Sequence, residues 1–158
     1  MTTMTQEETR IIQADATCAC VAAPLFDAYR QFYKKPSNLD SARTFLSERL
    51  KNSESVLFLA YLNSGSSALP VGLVHLYPTF ASLALRKQWI LSDLFVAPEA
   101  RGRGVGEALM NRARKLAQET GADSLILETA KDNHTAQKLY ERLGYLRDEI
   151  FYRYSLPV

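Results

Sequence analysis

WILSDLFVAPEARGRGVGEALMNRARKLAQETG, residues 89–121, decides how this chain folds. An apolar run from Trp89 ends at Val96, Pro98 interrupts it, and Gly102, Gly104 and Gly106 alternate with Arg101, Arg103 and Val105. A helical pattern starts at once: Val105, Leu109, Ala113, Leu116 and Ala117 share one face, and Gly121 closes it. Strand, glycine-rich turn and helix together aim backbone N–H groups and a helix N-terminus at a phosphate. The turn lacks the Lys-Ser/Thr ending of a nucleotide P-loop, and its spacing is not G-x-G-x-x-G. Both nucleotide readings weaken accordingly.

The flanking sequence predicts the rest of the framework. Residues 9–14 (TRIIQA) suit a short opening strand. Val21, Leu25, Phe26, Tyr29, Phe32 and Tyr33 recur at helical spacing until Pro36 disfavours helix at the residue before it. Tyr33, near the helix end, is placed to rim a substrate pocket. Asp40 or Ser41 caps a second helix carrying Ala42, Phe45, Leu46, Arg49 and Leu50. Strands are expected at 55–62 and 70–77, joined through a loop at 63–67, with a bend or bulge at Pro78-Thr79 and a third, long strand at 83–96. His75 falls inside a strand pattern and reads as a buried histidine with its polar atoms satisfied. After the glycine turn and its helix, 124–129 forms a strand parallel to the long one through a right-handed crossover. Asp132 or Asn133 caps a last helix with Ala136, Leu139, Tyr140 and Leu143 on one face, closed by Gly144. Residues 149–156 alternate well enough for a final strand. The simplest account is a single α/β domain over residues 1–158 with a mixed sheet.

Bulk properties narrow the function classes. A chain of 158 residues with 47% hydrophobic content has room for a real core. A formal net charge of +2 is too small to imply nucleic acid. Arg112, Arg114 and Lys115 read as a solvated helix face. Cys18 and Cys20 are too close in sequence for a comfortable disulfide, and no His/Cys set completes a metal site. With no apolar run of membrane-spanning length and a polar start, a cytoplasmic setting with no membrane partner is expected.

Two spaced patterns make the phosphate site specific. Arg101-x-x-Gly104-x-Gly106, preceded by Asp93-Leu94-Phe95-Val96-x-Pro98, resembles the acetyl-CoA signature of the GNAT (Gcn5-related N-acetyltransferase) superfamily. Asn133-x-x-Ala136-x-x-x-Tyr140-x-x-x-Gly144-Tyr145 resembles its second signature. The stretches LALRKQWILSDLFV and ETAKDNHTAQKLY look most like the yeast histone and polyamine acetyltransferase (Hpa2-like) branch. The resemblance implies the acyl-CoA N-acyltransferase fold, a mixed, mostly antiparallel twisted sheet with flanking helices and a splayed central parallel pair. It implies acetyl-CoA as cosubstrate, no metal, and residues 94–96, 101–107, Asn133, Ala136 and Tyr140 at the cofactor. In residue terms the candidates are Leu94, Phe95, Val96, Arg101, Gly102, Arg103, Gly104, Val105, Gly106 and Glu107, with the three of the second signature.

Acetyl transfer to an amine sets further demands. The pyrophosphate needs the N–H groups of residues 102–107, where glycine lets a ligand approach the backbone. The thioester carbonyl needs a donor, for which the resemblance points to the backbone of Leu94 and Val96. An alkylamine with pKa near 10.4 costs about 4–5 kcal/mol to deprotonate at pH 7, so a base helps. The family often carries an acid just before Asp93; here Ser92 stands there, leaving Asp93 and Glu128 as candidates. Tyr140 matches the family's usual acid, and a phenol of pKa about 10 is able to protonate a leaving thiolate. Asn133 lies two helical turns earlier on the same face.

The expected activity is N-acetylation of a primary amine by direct attack in a ternary complex. The acceptor is a small amine or polyamine, an amino acid, or a protein lysine or N-terminus. A non-catalytic acyl-CoA-binding or regulatory module on the same fold is the alternative, and a phosphate-backbone binder, for instance of nucleic acid, a more distant one. Asp27, Asp40 and Glu48 are acids that could draw a cationic amine, though plain surface is the simpler reading. Analogy with the resembling branch, and the edge offered by the C-terminal strand, suggest a homodimer.

Overall fold

Strand alternation in the chain's apolar runs builds one five-stranded sheet in the order β1-β2-β3-β4-β5. The strands are β1 (Thr9–Gln13), β2 (Val56–Leu62), β3 (Gly72–Ala81), β4 (Arg86–Val96) and β5 (Leu125–Ile126). The first three pairings are antiparallel and β4–β5 is parallel. Helices α1 (Ala19–Phe32), α2 (Leu39–Lys51), α3 (Val105–Glu119) and α4 (His134–Arg142) complete the framework. This computed structural model describes residues 8–63 and 69–158. Most of the loop expected at 63–67 lies outside the described residues. The chain divides into two compact units, one ending at Leu127 and one running from Glu128 to Val158.

In the first unit the sheet is covered on both faces, as its apolar strands require. One face packs Leu57, Leu59, Tyr61, Leu73 and Phe95 against Ala22, Leu25 and Phe26 of α1 and Ala42 and Leu46 of α2. The other face receives α3 through Val105, Leu109, Met110 and Ala113, all buried. Gly72 is the point of closest approach: a Cβ there would lie 2.9 Å from Val105 Cγ1 and 3.0 Å from Leu109 Cδ1.

One irregularity organises the sheet. His75 pairs with Asp93 and Leu76 with Leu91, so Ser92 is an extra residue, a β-bulge. Its effect is a change of parity. Trp89 and Phe95 are six residues apart and would share a face of an unbroken strand. Instead the Trp89 indole donates to Thr120 Oγ1 at the end of α3, whereas Phe95 joins the α1–α2 core. Backbone groups switch in the same way. The Trp89 N–H donates to Ser124 O on the β5 side, and the Ala97 N–H donates to Val71 O on the β3 side. No bend or bulge forms at Pro78-Thr79, where one was expected; those residues stay in register opposite Trp89 and Gln88.

Several expected boundaries move. The cap of α2 is Asn38, whose side chain accepts from the Ser41 N–H, rather than Asp40 or Ser41. The expected strand 83–96 starts later, at Arg86, because a helical turn at 82–84 and Leu85 in a left-handed conformation join β3 and β4 as a hairpin. β5 shrinks to two residues, and 149–156 forms no strand. Alternation there sets a pattern of side chains, but a strand also needs a ladder partner. Ile150, Phe151, Tyr152 and Tyr154 remain exposed. Cys18 and Cys20 are free thiols.

Asp27 is buried, unlike the surface acid expected. Its carboxylate accepts from Ser37 Oγ at 2.6 Å and the Asn38 N–H at 2.8 Å, and Arg30 lies at 3.3 Å. These bonds, the Ser37 hydroxyl first, hold its pKa below the usual carboxylate range. A carboxyl lowered on folding stabilises the protein above its unfolded pKa and loses that contribution as pH falls through the folded one. Asp27→Asn should therefore open a stability gap in urea melts at pH 7 that narrows at acid pH. A gap constant from pH 7 to 3 would contradict this. Gly72→Val should cost about 2–3 kcal/mol by the same measurement, because α3 cannot retreat without losing its contacts.

Candidate functional site

The glycine turn is built by hydrogen bonds that tie both of its ends. Ala97 is anchored to Val71, residues 98–100 make one tight helical turn, and Arg101 Nε donates to Val96 O at 2.9 Å. Gly102 and Gly104 then adopt left-handed backbone at φ 75° and 79°, where a side chain is strained. Nothing lies within 4 Å of a Cβ added at either position, so the space beside both glycines is open. Gly104 is the N-cap of α3, and the first intrahelical bond runs from the Ala108 N–H to Gly104 O. The N–H groups ahead of it point out along the helix axis. Gly106 is helical, within the first turn with Glu107, and buried Val105 holds the helix start to the sheet.

The bulge arranges the neighbouring stretch of β4. With the Ala97 N–H directed at β3, alternation directs Phe95 the same way and turns the N–H groups of Leu94 and Val96 away from β3. On that far side β4 pairs with β5 only at Trp89 and Ile90. Among the described residues the β4–β5 pairing does not extend to Leu94. Phe95 itself is core, and Arg101 lies over its ring at 5.5 Å and over Phe32 at 5.9 Å.

Asp93 sits beside the bulge on the α1–α2 face, with its side chain 13% exposed. His75 Nδ1 lies 2.9 Å from Asp93 Oδ2, and His75 Nε2 lies 2.7 Å from Ser55 Oγ. His75 is fully buried, its ring centroid 4.8 Å from that of Tyr77 and 6.3 Å from that of Phe26, the latter pair nearly perpendicular. Burial, and secondarily the charge of Asp93, pushes the Tyr77 phenol up to about 12, so it stays protonated at neutral pH. The histidine is satisfied, as the sequence suggested, but its partner is a candidate catalytic acid. That link was available in principle from the hairpin register, which sets the two residues opposite one another. Tyr29 donates to Ser92 O at 3.4 Å and meets Tyr33 at 5.2 Å. Phe32 and Tyr33 are exposed aromatic surface at the C-terminal end of α1.

The second unit carries the other signature on α4. Asn133 is its cap and accepts from the Ala136 N–H at 3.2 Å, so its spacing to Ala136 has a structural function. Tyr140 is half-buried, with its ring 6.0 Å from Tyr145. Glu128, the other proposed base, is exposed and ion-paired with Arg153. Among the described residues no His/Cys/Asp/Glu group is arranged to hold a metal, and no helix is long and apolar enough to cross a membrane.

The acetyltransferase (GNAT) family pattern matches residues 22–145. The chain belongs to this family. It is 43% identical over 148 residues to an uncharacterized N-acetyltransferase, YhfO, of Bacillus subtilis, covering 94% of this chain and 97% of that one. A crystal structure of a probable acetyltransferase superposes with TM-score 0.86 at 42% identity, over 94% of this chain and 97% of the other. Similarity to a D-amino-acid N-acetyltransferase of Saccharomyces cerevisiae, HPA3, is 30% over 83 residues, about half of each chain (52% and 52%). GNAT acetyltransferases use acetyl-CoA. The open left-handed turn at a helix N-terminus, and the outward N–H groups of β4, fit such a cosubstrate.

Gly104→Glu should remove CoA binding measured by calorimetry. Gly121→Glu serves as the control, since Gly121 also has left-handed backbone (φ 66°) and open space, but closes the far end of α3. Both substitutions carry a backbone cost of about 1–2 kcal/mol. Equal CoA affinity in the two variants would contradict the cradle.

Proposed function

We propose that this chain is an N-acetyltransferase that moves the acetyl group of acetyl-CoA to a primary amine by direct attack within a ternary complex. The observation that carries the reading is the bulge at Ser92, which turns the Leu94 and Val96 N–H groups out of the β3 ladder. Acetyl-CoA supplies an activated acyl group, and this chain's residues must bind it, polarise it and manage two protons. The turn at 102–107 binds its phosphates through backbone N–H groups and the α3 dipole. Arg103 adds positive charge there, while Arg101 braces the turn through Val96 O. The outward N–H groups of β4 stabilise charge developing on the acyl oxygen, a fixed dipole needing no reorganisation. Asp93, only partly exposed and anchored by His75, takes the acceptor's proton. Tyr140 returns a proton to the departing thiolate.

For the acceptor, the exposed aromatic pair Phe32 and Tyr33, with Asp93 nearby in the fold of the same unit, supports an amine with apolar or cationic character. The partial likeness to a D-amino-acid N-acetyltransferase and the resemblance to the Hpa2-type branch support amino acids and polyamines as first acceptors to try. Release of free CoA on mixing acetyl-CoA with spermidine, D- and L-amino acids and lysine peptides tests the reading. No amine-dependent release from any of them would favour a binding module instead. Tyr140→Phe should lower kcat about 100-fold or more with acetyl-CoA affinity retained; unchanged turnover would remove Tyr140 as the acid.

A further inference from the structure

We infer that His75 is a positioning residue for acetyl transfer, which orients the Asp93 carboxylate from inside the core. This rests on the reading of Asp93 as the base and adds to it a residue outside both signatures. A fully buried imidazole is costly unless both ring nitrogens are bonded, and here both are. An ionised carboxylate only accepts hydrogen bonds, so Nδ1 carries the proton shared with Asp93 Oδ2 in either protonation state of the ring. Ser55 Oγ, buried at the entry to β2, meets Nε2 and fixes the ring plane. Phe26 and Tyr77 enclose it further. Oδ2 is thereby held, and Oδ1, whose protein contact is Ser92 Oγ at 3.4 Å, remains to receive a proton.

The location argues for more than a satisfied core histidine. His75 stands opposite Asp93 at the one break in the β3–β4 register, so the bulge that frees the N–H groups of Leu94 and Val96 also brings Asp93 onto the histidine's face. Asp93 lies at a strand irregularity beside an extra residue, where backbone pairing alone constrains a side chain least. Misplacement of a reacting group by about 1 Å costs on the order of 100-fold in rate, so a rigid buried donor has catalytic value there.

Two amide substitutions separate orientation from packing. In His75→Asn the amide nitrogen occupies the region of Nδ1 and can still donate to Asp93. In His75→Gln it reaches toward Nε2 and Ser55 instead. With hydroxylamine and spermidine as acceptors, kcat should fall about 10- to 100-fold in Gln and largely recover in Asn, with acetyl-CoA affinity unchanged in both. Equal loss in both variants, or loss tracking thermal stability, would overturn the inference. Nitrogen-15 shifts of the apo protein provide a measurement independent of turnover. The chain has two histidines, and the His75 ring should show a protonated Nδ1, which becomes sensitive to Asp93→Asn. A bare Nδ1 would also overturn it. Full activity of Asp93→Asn would defeat the base assignment itself, whereas loss in Asp93→Asn without any Asn/Gln difference at 75 defeats only the role of His75.

Discussion

The bulge at Ser92 is the constraint on which the site depends. A strand repeats every two residues, so one extra residue exchanges its two faces and its two hydrogen-bonding edges downstream. Upstream, Trp89 packs under α3 and donates its N–H toward β5; downstream, Phe95 packs under α1 and α2 while Leu94 and Val96 direct their N–H groups away from β3. Both faces of the sheet stay covered, by α1 and α2 on one side and α3 on the other. What the bulge leaves over is a short run of strand edge with no ladder partner among the described residues, followed in the chain by a turn of left-handed glycines.

That edge and turn are held by contacts that explain why residues of such different types cluster here. Arg101 braces the turn on Val96 O and covers Phe95, which reduces its availability as a free cation but fixes the approach to α3. Val105 seats the helix against Gly72, so the cradle's position depends on the absence of a Cβ at the start of β3, two strands earlier in the chain. Asp27, an acid that sequence alone assigns to the surface, ties α1 to the cap of α2 and so supports the helices under which Phe95 and His75 lie. The functional backbone is therefore a consequence of core packing rather than an addition to it.

Much of this was legible beforehand. The 3.6-residue period located α1 and α3, the glycines marked the turn, and two spaced signatures pointed to the family to which the chain belongs. The cap of α2 lies two or three positions before the expected Asp40 or Ser41, because Asn38, Asp40 and Ser41 are all good caps and only the backbone angle decides among them. The strand expected at 149–156 did not form, since alternation describes a surface and not its partner.

Sequence alone determined the local order of elements, the family and the residue types of the candidate site, because these depend on periodicity and spacing within short windows. Tertiary structure decided which groups face which. The side on which Asp93 lies, the burial of His75 against it and the outward turn of the Leu94 and Val96 N–H groups all follow from one unpaired residue. Ser92 is in no way distinctive as a residue type; only its register against β3 makes it an insertion, and register is a property of two strands together.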